Sequence, residues 1–167
     1  QAPVTVERDT PLTSVPLKDH MSKLAIDATL NGVTREFIFD TGSPTMISKD
    51  LARELDLTVI GSNTGHDANG NAFTTQIAIV DRLQIGGVTL RQVPVLIADF
   101  SVSEPKGCFI QDGLIGSDVF PRSVWRIDPD ARQLHIAESA GDLAALDVAL
   151  GAAEPTVTAP LISGGYP

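Results

Sequence analysis

Residues 37 to 43 read Phe-Ile-Phe-Asp-Thr-Gly-Ser, and this stretch is the most informative in the chain. Its three apolar residues predict a buried strand that carries Asp40 to the strand's end. Thr41 and Gly42 then allow a sharp turn, so that nearby backbone N–H groups and hydroxyls can hold the carboxylate. Such a strand can deliver one carboxylate to the floor of a cleft, where a second carboxylate shares its proton because two adjacent charges cannot both ionise cheaply.

The residues before this stretch predict a β-hairpin. Residues 24 to 30 alternate between apolar and polar side chains, which is the period of a half-buried strand. Asn31 and Gly32 follow, and both tolerate the positive φ angles of a two-residue turn. Residues 33 to 39 should therefore return antiparallel and bring Asp40 to the end of the second strand.

A second motif lies far along the chain. Residues 109 to 120 read Phe-Ile-Gln-Asp-Gly-Leu-Ile-Gly-Ser-Asp-Val-Phe, an apolar run, an Asp-Gly pair, two aliphatic residues, a glycine and a short helical turn. Asp-Gly before an aliphatic pair is a turn signal, so we interpret Asp112 as structural rather than as a second catalytic carboxylate. The residues of this structural motif are Asp112, Gly113, Leu114, Ile115 and Gly116.

Together and in this order, the two motifs resemble one lobe of the pepsin and retropepsin superfamily of aspartic proteases, over residues 15 to 137. The resemblance implies an all-β, single-lobe, retropepsin-like closed barrel or sandwich with one or two short helices. It also implies that Asp40 is catalytic. Thr41 would hydrogen-bond across a dimer, the Gly42 N–H would face the carboxylates, and Ser43 would hold the outer oxygen of Asp40.

The resemblance also implies a flap, in the polar and Gly-rich segment 61 to 75. A mobile hairpin there would donate backbone hydrogen bonds to an extended polypeptide and exclude water as it closes. A plain surface loop is the alternative. The predicted flap and substrate-binding residues are His66, Asp67, Ala68, Asn69, Gly70, Asn71 and Phe73, with the turn at Asn69-Gly70.

The chain contains a single Asp-Thr-Gly, whereas an aspartic protease site needs two facing carboxylates. We therefore expect a two-fold homodimer that brings together Asp40 from each subunit, where the pair activates a water for peptide hydrolysis. Two alternatives stay open. The chain could be a pepsin-like binding or regulatory module without catalysis, or one lobe of a larger or heterodimeric protease.

The amino-acid composition restricts the classes of partner and ligand that we expect for this chain. The 167 residues are 43% hydrophobic, enough for one normal core, and no apolar run approaches the ~18 residues of a membrane span. A net charge of -9 with 12 scattered Lys and Arg argues against nucleic acid or anionic membranes as partners. Cys108 is the only cysteine and the three histidines show no zinc spacing, so no disulfide, metal or cofactor is predicted.

Two short helices and two terminal segments complete the prediction. Ser48 can cap a short helix with Leu51, Ala52 and Leu55 on one side, and Leu143, Leu146 and Leu150 of segment 138 to 167 allow one more before a poorly ordered tail. Residues 1 to 14 contain Pro and Thr and resemble an extended leader, so we expect a removed signal or anchor and a periplasmic or otherwise exported bacterial protein.

Overall fold

The computed structural model describes residues 3–66, 70, 72–102 and 110–151. Within these ranges the fold is mostly β-strand with two short α-helices, which confirms the predicted fold class. The strands are β1 (Thr5–Arg8), β2 (Leu12–Pro16), β3 (Lys18–His20), β4 (Lys23–Leu30), β5 (Val33–Phe39), β6 (Met46–Ser48), β7 (Val59–His66), β8 (Ala72–Ile85), β9 (Val88–Ala98), β10 (Gly113–Ile115), β11 (Val124–Asp128) and β12 (Gln133–Ala137). The helices are α1 (Lys49–Glu54) and α2 (Ala140–Leu150).

The predicted first hairpin is formed by β4 and β5. Asn31 and Gly32 occupy its turn with φ angles of 46° and 92°, the left-handed conformation that a tight two-residue connection needs. All three apolar residues at the end of β5 are buried, and Phe37 is 0% exposed. The hairpin therefore delivers Asp40 from the core to the surface, as its sequence indicates.

The larger sheet joins its strands in the order β1-β9-β6-β10-β5-β4-β8-β7, with β3 beside β4 and a further pairing of β8 with β9. Strand β10 is inserted between the strand that carries Asp40 and the strand that follows it. It runs parallel to β5, with Ile115 opposite Phe39, and antiparallel to β6. The second motif thus packs directly beside the first, while the closed barrel remains a prediction.

An aromatic cluster lies beneath the end of β5. Phe39 packs against Phe120 and Trp125, with ring centroids 5.4 Å and 6.2 Å away, and the latter two rings are 4.8 Å apart. Burial of each large apolar side chain contributes roughly 1.5–3 kcal/mol. The residue before Asp40 is therefore anchored by Phe120, the last residue of the second motif, and by Trp125 of β11.

A three-stranded sheet in the order β11-β12-β2 forms a separate layer. Helix α2 packs against β12, and its Asp147 accepts a 2.6 Å hydrogen bond from the Arg126 guanidinium. Burial, aided by the nearby Arg126 charge, lowers the pKa of His135, which is 2% exposed on β12. In the described ranges neither helix is long and apolar enough to cross a membrane.

The expected N-terminal leader is incorporated into both sheets. Strand β1 pairs with β9, and β2 pairs with β12, so the expected boundary after residue 14 falls inside β2. Thr13 Oγ1 also accepts a 3.0 Å hydrogen bond from the Gly87 N–H. The Pro and Thr content of this segment is typical of an extended leader. Its short strands can be recognised only from the distant strands with which they pair. The expected tail after Gly151 lies outside the described residues.

Candidate active site

Asp40 stands immediately beyond the last residue of β5. Its neighbour Phe39 is buried, whereas Asp40 is half-buried and presents its carboxylate at the surface. The Asp40 N–H donates to the carbonyl oxygen of Ile115 at 3.0 Å, and Asp40 Oδ1 accepts from the Gly42 N–H at 2.8 Å. The backbone of the second motif, at Ile115, therefore fixes the position of Asp40. The turn that follows Asp40 orients its carboxylate.

The other predicted support residues lie in the same turn. Thr41 and Gly42 are exposed, and Ser43 is half-buried. Ser43 Oγ is shielded from solvent yet has no hydrogen-bond partner among the described residues. The expected bond from Ser43 to Asp40 is therefore not made in the single chain, where the only described partner of the Asp40 carboxylate is Gly42.

Gly116 packs closely against the backbone that follows Asp40. A Cβ atom on Gly116 would lie 2.1 Å from the Ser43 carbonyl oxygen and 2.3 Å from the carbonyl carbon of Pro44. Ser117 N–H donates to that Ser43 oxygen at 2.8 Å. Only glycine fits here, because any side chain would push the active-site loop away by its backbone.

Two residues that the sequence reasoning missed complete this junction. Thr45 is 0% exposed, and both its N–H and its hydroxyl donate to the carboxylate of Asp118. The Thr45 hydroxyl also accepts a 3.1 Å hydrogen bond from the Gly116 N–H. The available signal was Asp118 itself, an acidic residue two positions after the motif glycine in a short helical turn.

Asp112 lies away from the site. Asp112 directly precedes β10, and its ion-pair partner is Arg35, which lies on β5 five residues before Asp40. Burial raises the pKa of Asp112, and the Arg35 guanidinium 3.9 Å away partly offsets this effect. Its backbone carbonyl accepts from the Ser48 N–H at 2.8 Å, which is a structural contact.

The predicted flap segment forms a β-hairpin from β7 and β8, not an irregular surface loop. His66, the last residue of β7, is exposed and pairs with Ala72, while Phe73 pairs with Gly65 through the backbone. Gly70 has a φ of 82°, which suits a turn. The remaining predicted flap residues, Asp67, Ala68, Asn69 and Asn71, lie outside the described residues.

Side chains that could bind a metal ion are spread apart in the described part of the chain. No three of its His, Cys, Asp or Glu side chains are grouped as metal ligands would be. Cys108 lies outside the described residues.

Comparisons with known proteins agree with this geometry. Residues 26–119, more than half of the chain and including both motifs up to Gly116, match the family model described as aspartyl protease. No curated protein matches the chain significantly.

Among solved structures, a retropepsin-like aspartic protease from Rickettsia conorii is similar, with a TM-score of 0.53 and 15% sequence identity. The match covers 81% of this chain and 94% of that chain. At 15% identity, this structural similarity shows the fold alone, and the fold is retropepsin-like. With the family model matched across the Asp-Thr-Gly loop and the Gly116 turn, the chain belongs to the aspartyl protease family.

Proposed function

We propose that this chain is an aspartic endopeptidase that becomes active as a two-fold homodimer, with Asp40 of each subunit forming the catalytic pair. The observation that supports this proposal most strongly is the exposure and hydrogen bonding of Asp40 in the single chain. Its carboxylate stands half-exposed at the end of a buried strand and is held by one described hydrogen bond. Since the chain has one Asp-Thr-Gly, a second copy is the simplest source of the facing carboxylate.

The surface around Asp40 supports this assembly. Thr41 and Gly42 are exposed beside it, and the Ser43 hydroxyl is enclosed without a partner in the described chain. A subunit placed on this surface would cover the first two residues and bring polar groups toward the third. The loop thus has the features of a half-site, because its polar groups are positioned but not all are paired.

In the proposed dimer the two carboxylates share one proton, since close like charges disfavour double ionisation. The ionised member takes a proton from a bound water as that water attacks the scissile carbonyl carbon. The protonated member hydrogen-bonds the carbonyl oxygen and stabilises the charge that develops there. The resulting tetrahedral intermediate collapses as the C–N bond breaks, and the leaving nitrogen takes the proton that the first carboxylate removed from water, so that two peptides leave without a covalent intermediate on the enzyme.

The hairpin of β7 and β8 supplies the substrate-binding element in this proposal. Nearly all of β7 is exposed, so its backbone and side chains are accessible to a ligand. An extended polypeptide between this hairpin and the Asp40 loop could pair with strand backbone as an added strand does. We therefore propose that the substrate is a polypeptide bound in an extended conformation.

The test compares wild type with Asp40→Asn in a peptide-library digest read by mass spectrometry, across acidic to neutral pH and at high protein concentration. Asp112→Asn serves as the matched control, because it neutralises a carboxylate that directly precedes β10 and is paired with Arg35 rather than with the Asp40 loop. We expect Asp40→Asn to lower cleavage by about 10²–10⁴-fold, as loss of a general base does, and Asp112→Asn to cleave like wild type.

Sedimentation of the same samples distinguishes the alternatives. Cleavage that rises with the dimer fraction and depends on Asp40 supports the proposal. A dimer that cleaves nothing would favour a binding or regulatory module. A chain that stays monomeric and inactive at high concentration would favour a missing partner lobe, and either result contradicts the homodimeric protease.

A further inference from the structure

We infer that Asp118, acting through Thr45, is a positioning residue that holds the Asp40 loop in its catalytic geometry. The inference rests on the proposed function for its effect on catalysis. It rests on geometry alone for its effect on the loop. The described hydrogen bonds of the Asp118 carboxylate go to Thr45 and not to Asp40, so its role is indirect.

The first step is the set of bonds that Asp118 accepts. Its Oδ1 accepts from the Thr45 N–H at 3.0 Å and from the Thr45 hydroxyl at 2.6 Å, and its Oδ2 lies 3.1 Å from the same N–H. Hydrogen bonds to an ionised carboxylate are stronger than neutral ones. One side chain therefore binds both polar donors of a residue 73 positions away in sequence.

The second step is that Thr45 passes this restraint on. Its side chain is fully buried, and its hydroxyl both donates to Asp118 and accepts from the Gly116 N–H. A buried hydroxyl that both donates and accepts a hydrogen bond has a defined orientation, because turning it would leave a buried polar group unpaired. Thr45 thus connects the Asp118 carboxylate to the glycine turn.

The third step is that the same turn contacts the Asp40 loop at both ends. The Asp40 N–H donates to Ile115, one residue before Gly116, and the Ser43 carbonyl accepts from Ser117, one residue after it. Asp118 therefore closes a continuous set of bonds between the loop and the turn. Displacement of a catalytic group by as little as 1 Å can cost about 100-fold in rate, so this restraint bears on catalysis.

The matched variants separate hydrogen bonding from packing and charge. Asp118→Ala removes both acceptors, whereas Asp118→Asn keeps the Oδ1 position that accepts both Thr45 donors. Thr45→Val keeps the side-chain shape without the hydroxyl, and Thr45→Ser keeps the hydroxyl with less apolar volume. Asp130→Ala is the charge control, because Asp130 is exposed in the turn between β11 and β12.

We expect Asp118→Ala and Thr45→Val to lower kcat at least about tenfold with little change in KM, because the loop rather than substrate binding is disturbed. Asp118→Asn and Thr45→Ser should lose less than their partners, and Asp130→Ala should match wild type. Each variant is assayed where circular dichroism and sedimentation show the same folded and dimeric fractions as wild type. Equal kcat in Asp118→Ala and wild type would overturn the inference.

Amide hydrogen exchange provides a readout that needs no activity. In Asp118→Ala, exchange at Asp40, Thr45 and Gly116 should rise at least about tenfold, while the amides of β8 and β9 stay at wild-type rates. Unchanged exchange at these three amides, or a uniform rise that includes β8 and β9, would overturn the inference. If wild type cleaves nothing, the proposed function fails, and these exchange rates still decide whether Asp118 holds the loop.

Discussion

The Asp40 loop and the hairpin of β7 and β8 are stabilised in opposite ways. The loop, residues 40 to 45, is fixed by hydrogen bonds to residues 115 to 118, and Thr45 within it is completely buried. The hairpin is held by pairing between neighbouring strands, and β7 is exposed along nearly its whole length. Long-range polar contacts are concentrated where a carboxylate must be placed, and the element expected to contact substrate depends on local contacts.

This difference suggests how the two regions divide their roles. Catalytic groups need fixed positions, whereas an element that admits and covers a polypeptide has to open. Segments with few buried contacts open at lower free energy than packed ones. The loop should therefore tolerate almost no change in backbone position, and the hairpin should tolerate considerable change.

The largest expected effect is that of an added methyl group in each region. Gly116→Ala would place a Cβ 2.1 Å from the Ser43 carbonyl oxygen, whereas Gly61→Ala on β7 would meet only the end of Ile77 at 4.0 Å. We expect Gly116→Ala to lose about 3 kcal/mol or more of stability and all measurable cleavage. Gly61→Ala should change stability by less than about 0.5 kcal/mol. Urea denaturation with a cleavage assay measures both, and equal losses would refute the contrast.

A smaller effect is expected from removing hydroxyl groups. Ser43 Oγ is enclosed without a described partner, so Ser43→Ala should leave the stability of the monomer unchanged or raise it by up to about 1 kcal/mol. Cleavage should nevertheless fall about tenfold, because in the proposed dimer the hydroxyl stabilises a charged carboxylate. Ser62→Ala on exposed β7 is the matching change in the hairpin and should lower cleavage less, with both activities compared at equal dimer fraction. Wild-type cleavage by Ser43→Ala would contradict this role.

The smallest expected effect is the pH dependence of stability that comes from Asp112, the residue before β10. Burial raises the pKa of Asp112, with Glu54 adding to the shift and Arg35 opposing it. The folded state thus keeps this proton when the unfolded state has lost it, so stability falls as pH rises from the ordinary Asp pKa of about 3.9 toward the raised value. Thermal unfolding should show wild type losing stability relative to Asp112→Asn across this window. A difference independent of pH would contradict the raised pKa.

Much of the loop region could be predicted from the sequence because its signals are local. The Asn31-Gly32 turn, the apolar end of β5 and the Ser48 cap of α1 each depend on adjacent residues, and each forms as predicted. The Ser48 hydroxyl accepts from Leu51 N–H at 3.1 Å, as a capping residue does. Local chemistry alone thus identified the strand, the loop and the helix that surround Asp40.

The features that were missed all depend on partners distant in sequence. Asp118 resembles any acidic residue in a short helical turn until Thr45 is seen beside it. Strand β1 has only four residues, and its assignment depends on pairing with β9. Neither contact leaves a periodic pattern, because each is specified by the tertiary fold rather than by neighbouring residues.

The pairing of β2 with β12 has a consequence for how the chain is made. Leu12–Pro16 lies near the beginning of the sequence and Gln133–Ala137 near its end, so this contact closes a loop of more than a hundred residues. Chains emerge from the ribosome in order, and contacts between distant segments form slowly. Residues 12 to 16 therefore lack their partner strand β12 through most of synthesis. The three-stranded sheet can be completed only after the Asp40 hairpin and the Gly116 turn have both been synthesised.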